Sequence, residues 1–154
     1  MARRNISDVI EAYLKNILSE ETTIEIRRKE MAEFFDCVPS QINYVINTRF
    51  TLKQGYLVES KRGGGGYIRI KEINLLEETE NIDTMVNTII GNSIGERDAH
   101  GFINRLYEKD LVRKKEAQIM LSAVDNLNFQ GIENVSDTIR ARILKSMLLN
   151  ILYN

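Results

Sequence analysis

Between Pro39 and Phe50 lies a short stretch rich in side chains that form hydrogen bonds without carrying charge. If Ile42, Val45 and Ile46 face a core, a turn of about 100° per residue places the polar side chains on the opposite face. These polar residues are Ser40, Asn43, Tyr44, Asn47 and Thr48, with Gln41 beside them. Asn, Gln, Ser and Thr are residue types that hydrogen-bond to base edges in a major groove. A helix face that is simply solvated is the alternative when this pattern is taken alone.

Basic side chains accompany this polar stretch. Arg28 and Lys29 begin the preceding helical segment, and Arg49 and Lys53 follow the polar one. Residues 39–73 hold six basic side chains (Arg49, Lys53, Lys61, Arg62, Arg69, Lys71) and two acidic ones (Glu59, Glu72). Arg and Lys at such positions contact backbone phosphates and hold a reading helix in place. Together the two patterns favour DNA over a solvated face.

A run of glycines follows Lys61 and Arg62, namely Gly63, Gly64, Gly65 and Gly66. A tight hairpin needs only one or two glycines, and glycine loses more entropy on ordering than other residues. A phosphate-binding P-loop is excluded, because it needs Gly-Lys followed by Ser or Thr and then a helix. The run instead predicts a slim loop tip that brings backbone close to DNA and Arg62 into the minor groove. A merely flexible loop is the alternative.

The elements that must position these residues read as helix, helix, helix and hairpin. An i, i+3, i+4 apolar stripe from Ile6 to Leu18 predicts the first helix, with Asn5 or Ser7 as its N-cap. Residues 22–26 favour β structure, and residues 28–35 are in helical register. Pro39 suits the first position of a third helix. Residues 55–59 and 67–71 alternate as two strands of a wing.

In the second half of the chain, the apolar residues recur at helical spacing throughout. Residues 74–80 are polar and acidic and predict a linker, and residues 81–154 predict four amphipathic helices. So short a bundle has a thin core, which favours self-association through the apolar final helix. The fold class is therefore mainly α with a small β-wing. Residues 1–73 form a winged helix-turn-helix, and residues 81–154 form a helical-bundle dimerisation domain.

Composition narrows the remaining classes. The 154 residues carry a net charge of −1 and are 43% apolar and 28% charged, as expected for a soluble globular protein. One cysteine and one histidine leave no cluster for zinc or a catalytic relay, so we predict no enzyme, cofactor or metal. We also predict a cytoplasmic protein without membrane contact.

Three further features have ordinary explanations. Cys37 is expected in the helix-turn-helix turn as a small buried apolar side chain, with a redox role as the alternative. His100 is expected to be structural or at the surface. Glu77, Glu78, Glu80 and Asp83 resemble paired catalytic carboxylates, but a solvated linker that enters a helix explains them.

Two segments closely resemble the CtsR family, the class III stress-gene repressors of Gram-positive bacteria of low G+C content. The segments are residues 37–50, from Cys-Val-Pro-Ser to Asn-Thr-Arg-Phe, and residues 55–70, which include the glycine run. Residues 5–8 fit as well, and residues 98–111 and 139–149 are similar more loosely. The resemblance spans nearly the whole chain.

The resemblance implies a dimeric repressor that binds double-stranded operator DNA. Its targets would be tandem heptanucleotide direct repeats in promoters of Clp protease and chaperone genes, released on heat stress. The glycine-rich wing would sense temperature, with Arg62 as a regulatory residue at its tip. The arginine kinase McsB and the Clp protease machinery would be its regulators, because phosphorylation turns an attractive guanidinium into a repulsive group. The rival hypothesis is a winged-helix adaptor that contacts proteins without binding DNA.

Overall fold

The computed structural model describes residues 5–61, 66–73 and 86–152, and these form two units. The first unit is Met1–Leu52 with Tyr56–Ile73, and the second is Lys53–Gly55 with Asn74–Asn154. The tripeptide Lys53–Gly55 therefore packs with the second unit, although the sequence prediction grouped it with the first. The predicted linker at residues 74–80 and its acidic set lie outside the described residues.

Three helices in the first unit begin where local chemistry favours it. They are α1 (Ile6–Glu21), α2 (Arg28–Phe34) and α3 (Pro39–Arg49). The Asn5 side chain accepts a hydrogen bond from the Asp8 N–H at 2.9 Å, so Asn5 is the N-cap of α1. Pro39 occupies the first turn of α3, where its missing N–H has no cost, as predicted.

A three-stranded antiparallel sheet completes the first unit. Its strands are β1 (Thr23–Arg27), β2 (Tyr56–Lys61) and β3 (Tyr67–Glu72), in the order β1-β3-β2. The predicted β2-β3 hairpin is confirmed. The structure adds β1 as a third strand, with Ile24 opposite Ile70 and Ile26 opposite Ile68. Arg62, Gly63, Gly64 and Gly65 lie outside the described residues, and Gly66 has a φ of +51°, a left-handed conformation that glycine adopts readily.

The core of the first unit lies between the helices and one face of this sheet. It includes Ile10, Leu14 and Leu18 of α1, Ile42, Val45 and Ile46 of α3, and Ile68 and Ile70 of β3, all less than 5% exposed. The inward orientation predicted for Ile42, Val45 and Ile46 is therefore confirmed. Because these side chains anchor one side of α3, the polar side is directed away from the core.

The turn between α2 and α3 is tight. Asp36 adopts a left-handed conformation with a φ of +54°, which Asp tolerates better than most residues. The Cys37 N–H donates to the Ala32 carbonyl at 2.9 Å, which closes the turn. Cys37 is half-buried at the edge of the core, as a small apolar side chain would be.

The described part of the second unit contains three α-helices and three shorter helical turns. The α-helices are α4 (Glu96–Glu108), α5 (Lys114–Val124) and α6 (Ser136–Leu152). A π-helical turn covers Val86–Ile90, and 3₁₀ turns cover Asn126–Phe129 and Glu133–Val135. The first of the four predicted helices is thus seen only as the π-helical turn, since residues 81–85 lie outside the described part. A mainly helical chain with a small sheet is the observed fold class, as predicted.

Gly101 lies in the middle of α4, where glycine normally destabilises a helix. The side chain of Gln54 occupies the space that a Cβ of Gly101 would fill. Gln54 is only 4% exposed and donates from Nε2 to Asp98 Oδ1 at 3.0 Å. The glycine therefore permits the Lys53–Gly55 tripeptide to pack directly on α4.

None of the helices within residues 5–61, 66–73 and 86–152 has the length and apolar character that crossing a bilayer requires.

Candidate nucleic-acid interface

Three predicted reading residues form an exposed stripe on α3. Ser40, Tyr44 and Asn47 are exposed, and their i, i+4, i+7 spacing places them on one side of the helix. Tyr44 leaves 47% of its surface exposed. Thr48 beside them is half-buried, and its Oγ1 donates to the Tyr44 carbonyl at 2.7 Å. We call Ser40, Tyr44 and Asn47 the α3 stripe.

The remaining predicted residues of this face position the helix. Arg28 Nε donates to Asn43 Oδ1 at 2.5 Å, and its NH2 group donates to Ser60 Oγ at 3.2 Å. One guanidinium thus ties the start of α2 to α3 and to β2. Gln41 Nε2 donates to Ser7 Oγ at 2.6 Å, which ties α3 to α1. These contacts fix the rotation of α3 about its axis, and with it the direction in which the α3 stripe points.

Arg49, which the sequence predicts as a phosphate contact, is engaged within the protein. Its NH1 group lies 2.5 Å from Glu11 Oε1 and 3.0 Å from Asp8 Oδ1. Burial lowers the pKa of Arg49, but the hydrogen bonds that it donates to Glu11 and Asp8, with the charges of these carboxylates, outweigh burial and raise the pKa above its usual value. Arg49 therefore links the end of α3 to α1, and its charge is already neutralised.

Lys53, also predicted as a phosphate contact, is likewise engaged within the protein. Its Nζ donates to the Ile90 carbonyl at 2.5 Å, the Ser93 carbonyl at 2.8 Å and the Ile89 carbonyl at 3.4 Å. An ammonium group has three N–H donors, so these carbonyls use all of them. The cation also lies at the C-terminal end of the π-helical turn, where the helix dipole favours positive charge. We reassign Lys53 to the packing of the second unit.

Replacing Lys53 with methionine tests this reassignment. The change keeps the aliphatic stem and removes three charge-assisted hydrogen bonds, so we expect the free energy of unfolding to fall by about 1–3 kcal/mol. Thermal or urea unfolding measures the change, with Lys115→Met at an exposed position as the control. A variant of unchanged stability that loses affinity for all DNA duplexes alike would restore the phosphate role.

Two of the predicted cations are exposed at the edges of the first unit. Lys29 lies at the start of α2, and Lys61 lies at the end of β2, next to the glycine run. Lys61 Nζ is 5.9 Å from the centre of the Tyr67 ring, and Arg69 Cζ is 5.6 Å from it on β3. The ring thus brings Lys61 and Arg69 together at the base of the wing, where Arg69 is also paired with Glu25 at 3.4 Å and Glu59 at 3.6 Å. Of the residues predicted at the tip, only Gly66 is described.

The residues that hold this surface in place were not predicted from the sequence. Ser7, Asp8, Glu11 and Ser60 each bond to a side chain that was predicted to touch DNA. A signal existed for one pair, because Asp8 and Glu11 are three residues apart and so share a face of α1. The two serines gave no signal, since their partners are more than 30 residues away.

The second unit has an apolar face on α5 and α6. A groove between these helices is lined by Ile119, Met120, Met147 and Ile151, with Glu116, Ser146 and Asn150 at its rim. Ile119 is 57% exposed and Leu149 is 37% exposed. An apolar face of this kind with a polar rim is typical of a protein interface.

Two family models cover the chain almost end to end. Residues 5–74 match the CtsR N-terminal HTH domain, and residues 77–149 match the CtsR C-terminal dimerization domain. The chain belongs to the CtsR family. The two matches meet between residues 74 and 77, where the first structural unit ends at Ile73.

Curated CtsR proteins are similar over nearly their full length. The transcriptional regulator CtsR of Lactiplantibacillus plantarum is 49% identical over 157 residues, which is 99% of both chains. That of Geobacillus stearothermophilus is 48% identical and covers 97% of this chain and 98% of its own. That of Bacillus subtilis is 44% identical and covers 96% of each.

A solved structure shows how one CtsR protein is used. The crystal structure of CtsR in complex with a 26-bp DNA duplex matches with a TM-score of 0.82 and 47% identity. The match covers 97% of this chain and all of the other. That relative was crystallised on DNA.

Proposed function

We propose that this CtsR chain is a sequence-specific DNA-binding repressor that acts as a homodimer in the cytoplasm. The observation that carries the proposal is the α3 stripe. Ser40, Tyr44 and Asn47 are exposed and uncharged, and partly buried hydrogen bonds from Arg28 to Asn43 and from Gln41 to Ser7 fix the direction of the helix. A stripe of hydrogen-bonding side chains on a helix held this firmly is suited to base edges in a major groove.

Phosphate contacts are assigned to three of the predicted cations. With Arg49 and Lys53 engaged inside the protein, we assign this role to Lys29, Lys61 and Arg62. Lys29 lies at the start of α2 and Lys61 at the end of β2, and the Arg28–Ser60 hydrogen bond of 3.2 Å brings these two ends together. Such contacts position a reading helix without carrying sequence information. Their small number agrees with a net charge of −1, which does not supply strong non-specific affinity.

The homodimer is proposed to form through the groove between α5 and α6. Replacing Ile119 with glutamate puts a charge into this apolar face, whose desolvation in an interface is costly. We expect the variant to be monomeric, with its own fold retained because Ile119 is already exposed. Analytical ultracentrifugation measures the mass, with Glu108→Gln as the control. A dimeric Ile119→Glu variant would place the interface elsewhere.

Two linked heads are expected to bind tandem direct repeats better than one. The second head binds at an effective concentration set by the dimer, so the dimer's affinity exceeds that of a single head. We propose heptanucleotide repeats in promoters of Clp protease and chaperone genes as the targets. The regulators would be the kinase McsB, through phosphorylation of Arg62, and the Clp protease machinery. The support for these assignments is membership of the CtsR family.

Release by heat is proposed to follow from the glycine run. Ordering one residue opposes binding by roughly 1–2 kcal/mol in entropy, so ordering four glycines opposes it by up to about 4–8 kcal/mol. This term grows with temperature. We expect Gly64→Pro to weaken operator binding at all temperatures, because a wing tip that needs glycine geometry cannot form. Fluorescence anisotropy measures the affinity, and circular dichroism checks that the fold is intact.

Unchanged operator affinity in Gly64→Pro would end the proposal for the wing.

Arg62→Lys is the matched test of regulation, since lysine keeps the positive charge but is not a substrate for an arginine kinase. The lysine variant is expected to bind the operator and to resist release by McsB with ATP. Release of this variant to the wild-type extent would exclude Arg62 as the regulatory site.

The rival function is a winged-helix adaptor that contacts proteins only. A gel shift with Clp promoter fragments at low and moderate salt separates the two functions. A repressor binds the promoter fragments in preference to random duplexes at both salt concentrations. An adaptor binds neither even at low salt. The names of the relatives, all transcriptional regulators, favour the repressor over both the adaptor and an enzyme.

A further inference from the structure

The second unit brings together three side chains that metal ions favour. Glu96 and His100 are four residues apart on α4, so they share one face of the helix. Asp125 follows the last residue of α5 and lies against them. One ligand atom from each of the three lies within 4.8 Å of the other two, and all three side chains are half-buried. The sequence separates Asp125 from His100 by 25 residues, so the cluster is visible only in the fold.

Backbone groups already hold both carboxylates in place. Glu96 Oε2 accepts a hydrogen bond from the Asn126 N–H at 2.5 Å, and Asp125 Oδ1 accepts one from the Leu127 N–H at 2.8 Å. A carboxylate has two oxygens, and each of these bonds occupies only one of them. Outer contacts of this kind orient metal ligands and are part of a working site.

The imidazole supplies a second and independent observation. His100 Nε2 is buried, and no group among the described residues forms a hydrogen bond with it. A buried polar atom without a partner costs free energy, so such atoms in folded proteins nearly always have a partner or a bound ligand. Capping of the 3₁₀ turn explains the two carboxylates but leaves this nitrogen unexplained.

The surrounding charge does not oppose a cation. A positive group beside the cluster is Arg140, whose NH2 group bonds to Oδ1 of Asn126, the residue after Asp125. Its charge is balanced by Asp137, whose Oδ1 lies 2.7 Å from Arg140 NH1. The carboxylates of Glu96 and Asp125 therefore leave the cluster with an excess of negative charge.

We propose that Glu96, His100 and Asp125 bind one divalent transition-metal ion, with Zn²⁺ and Mn²⁺ as the best-suited ions. Imidazole and carboxylate ligands together suit these ions. Mg²⁺ and Ca²⁺ instead prefer a larger set of ligands that are all oxygen atoms. Three protein ligands with an open fourth position complete a tetrahedral site with water. Metal–ligand bonds of about 2.1 Å place the ligand atoms about 3.4 Å apart, which small side-chain rotations reach from the observed spacing. The ion would link the start of α4 to the end of α5 and stabilise the second unit.

The test uses the full chain freed of metal with EDTA and titrated calorimetrically with ZnCl₂, MnCl₂ or MgCl₂. We expect one Zn²⁺ or Mn²⁺ per chain, a higher melting temperature when it is bound, and no saturable binding of Mg²⁺. His100→Gln should weaken binding by more than the roughly 10- to 100-fold seen for loss of an outer contact. Glu96→Gln and Asp125→Asn keep the acceptors that cap the turn and should weaken binding as well. Glu108→Gln, at an exposed position on α4, is the matched control.

Two readouts keep the result unambiguous. The titration is repeated in a Cys37→Ser background, because Cys37 is the one thiol in the sequence. Co²⁺ provides a visible absorption spectrum that must change between the wild type and His100→Gln if the imidazole is a ligand. The proposal is overturned if neither Zn²⁺ nor Mn²⁺ binds with one-to-one saturation. It is equally overturned if His100→Gln binds as tightly as the wild type.

Discussion

Replacing Arg140 with leucine is expected to lower the free energy of unfolding of the second unit by about 3–5 kcal/mol. Arg140 is 0% exposed at the centre of that unit. Its Nε donates to the Val124 carbonyl at 2.8 Å, and its NH1 group donates to the Ile94 carbonyl at 3.1 Å. Leucine would leave both carbonyls buried without these donors, and each such loss costs about 1–3 kcal/mol. Total stability is typically about 5–15 kcal/mol, so the change is large.

The packing of Arg140 adds to the expected loss. Its Cζ lies 4.7 Å from the centre of the Phe129 ring, and its NH2 group bonds to Asn126 Oδ1. One side chain thereby holds α6 against the end of α5 and the 3₁₀ turn that follows. Because the proposed dimer needs α5 and α6 in place, the variant should also lose dimers and operator affinity.

Arg142→Leu is the matched control for this prediction. Arg142 is exposed two residues further along the same helix, so the same substitution removes the same charge without disturbing the core. Urea unfolding followed by circular dichroism measures both variants. Equal stability of Arg140→Leu and Arg142→Leu would show that the buried guanidinium does not hold the second unit together.

Replacing Asn47 with alanine is expected to reduce operator affinity by about 1–3 kcal/mol, or roughly 5- to 150-fold. Asn47 is exposed near the end of the α3 stripe, and a carboxamide can hydrogen-bond to two positions of an adenine edge. Its removal takes away base contacts but no charge. Affinity for random duplexes and its salt dependence should therefore stay unchanged.

Asn16→Ala provides the matched control for Asn47→Ala. Asn16 is exposed on α1, and the substitution is chemically the same. Fluorescence anisotropy with operator and random duplexes gives both affinities for each variant. If Asn47→Ala weakened both duplexes by the same factor, Asn47 would be a general contact and not a reader of bases.

Local patterns were sufficient to predict most elements of the fold. Apolar spacing predicted α1, α2 and α3, and the positions of Asn5 and Pro39 predicted where two of these helices begin. Helix caps act within one turn, so sequence alone reveals them. The β2-β3 hairpin was predicted for the same reason, because its strands are neighbours in the chain. The β-favouring run at residues 22–26 was also predicted, but its pairing with β3 was not, because the partners lie 40 or more positions away.

The partners of the charged side chains could not be predicted. Arg49 and Lys53 have the residue type and the sequence position of phosphate contacts, and Lys29 shares both features. What distinguishes them is the fold, which brings Asp8 and Glu11 to Arg49 and three carbonyls to Lys53. The same holds for His100, which was expected to be structural or at the surface. Its approach to Asp125 depends on how α4 packs against the end of α5.

The central claim is that the α3 stripe reads bases in the major groove. Modified bases in the operator test this claim most directly. Replacing purines of the operator with 7-deazapurines removes only the N7 acceptor, which is exposed in the major groove. We expect at least one such replacement to weaken wild-type binding by about 1 kcal/mol or more. The same replacement should have little further effect on Asn47→Ala, as a double-mutant cycle requires for two groups in contact. Wild-type affinity that is unchanged by every 7-deazapurine in the operator would contradict the account.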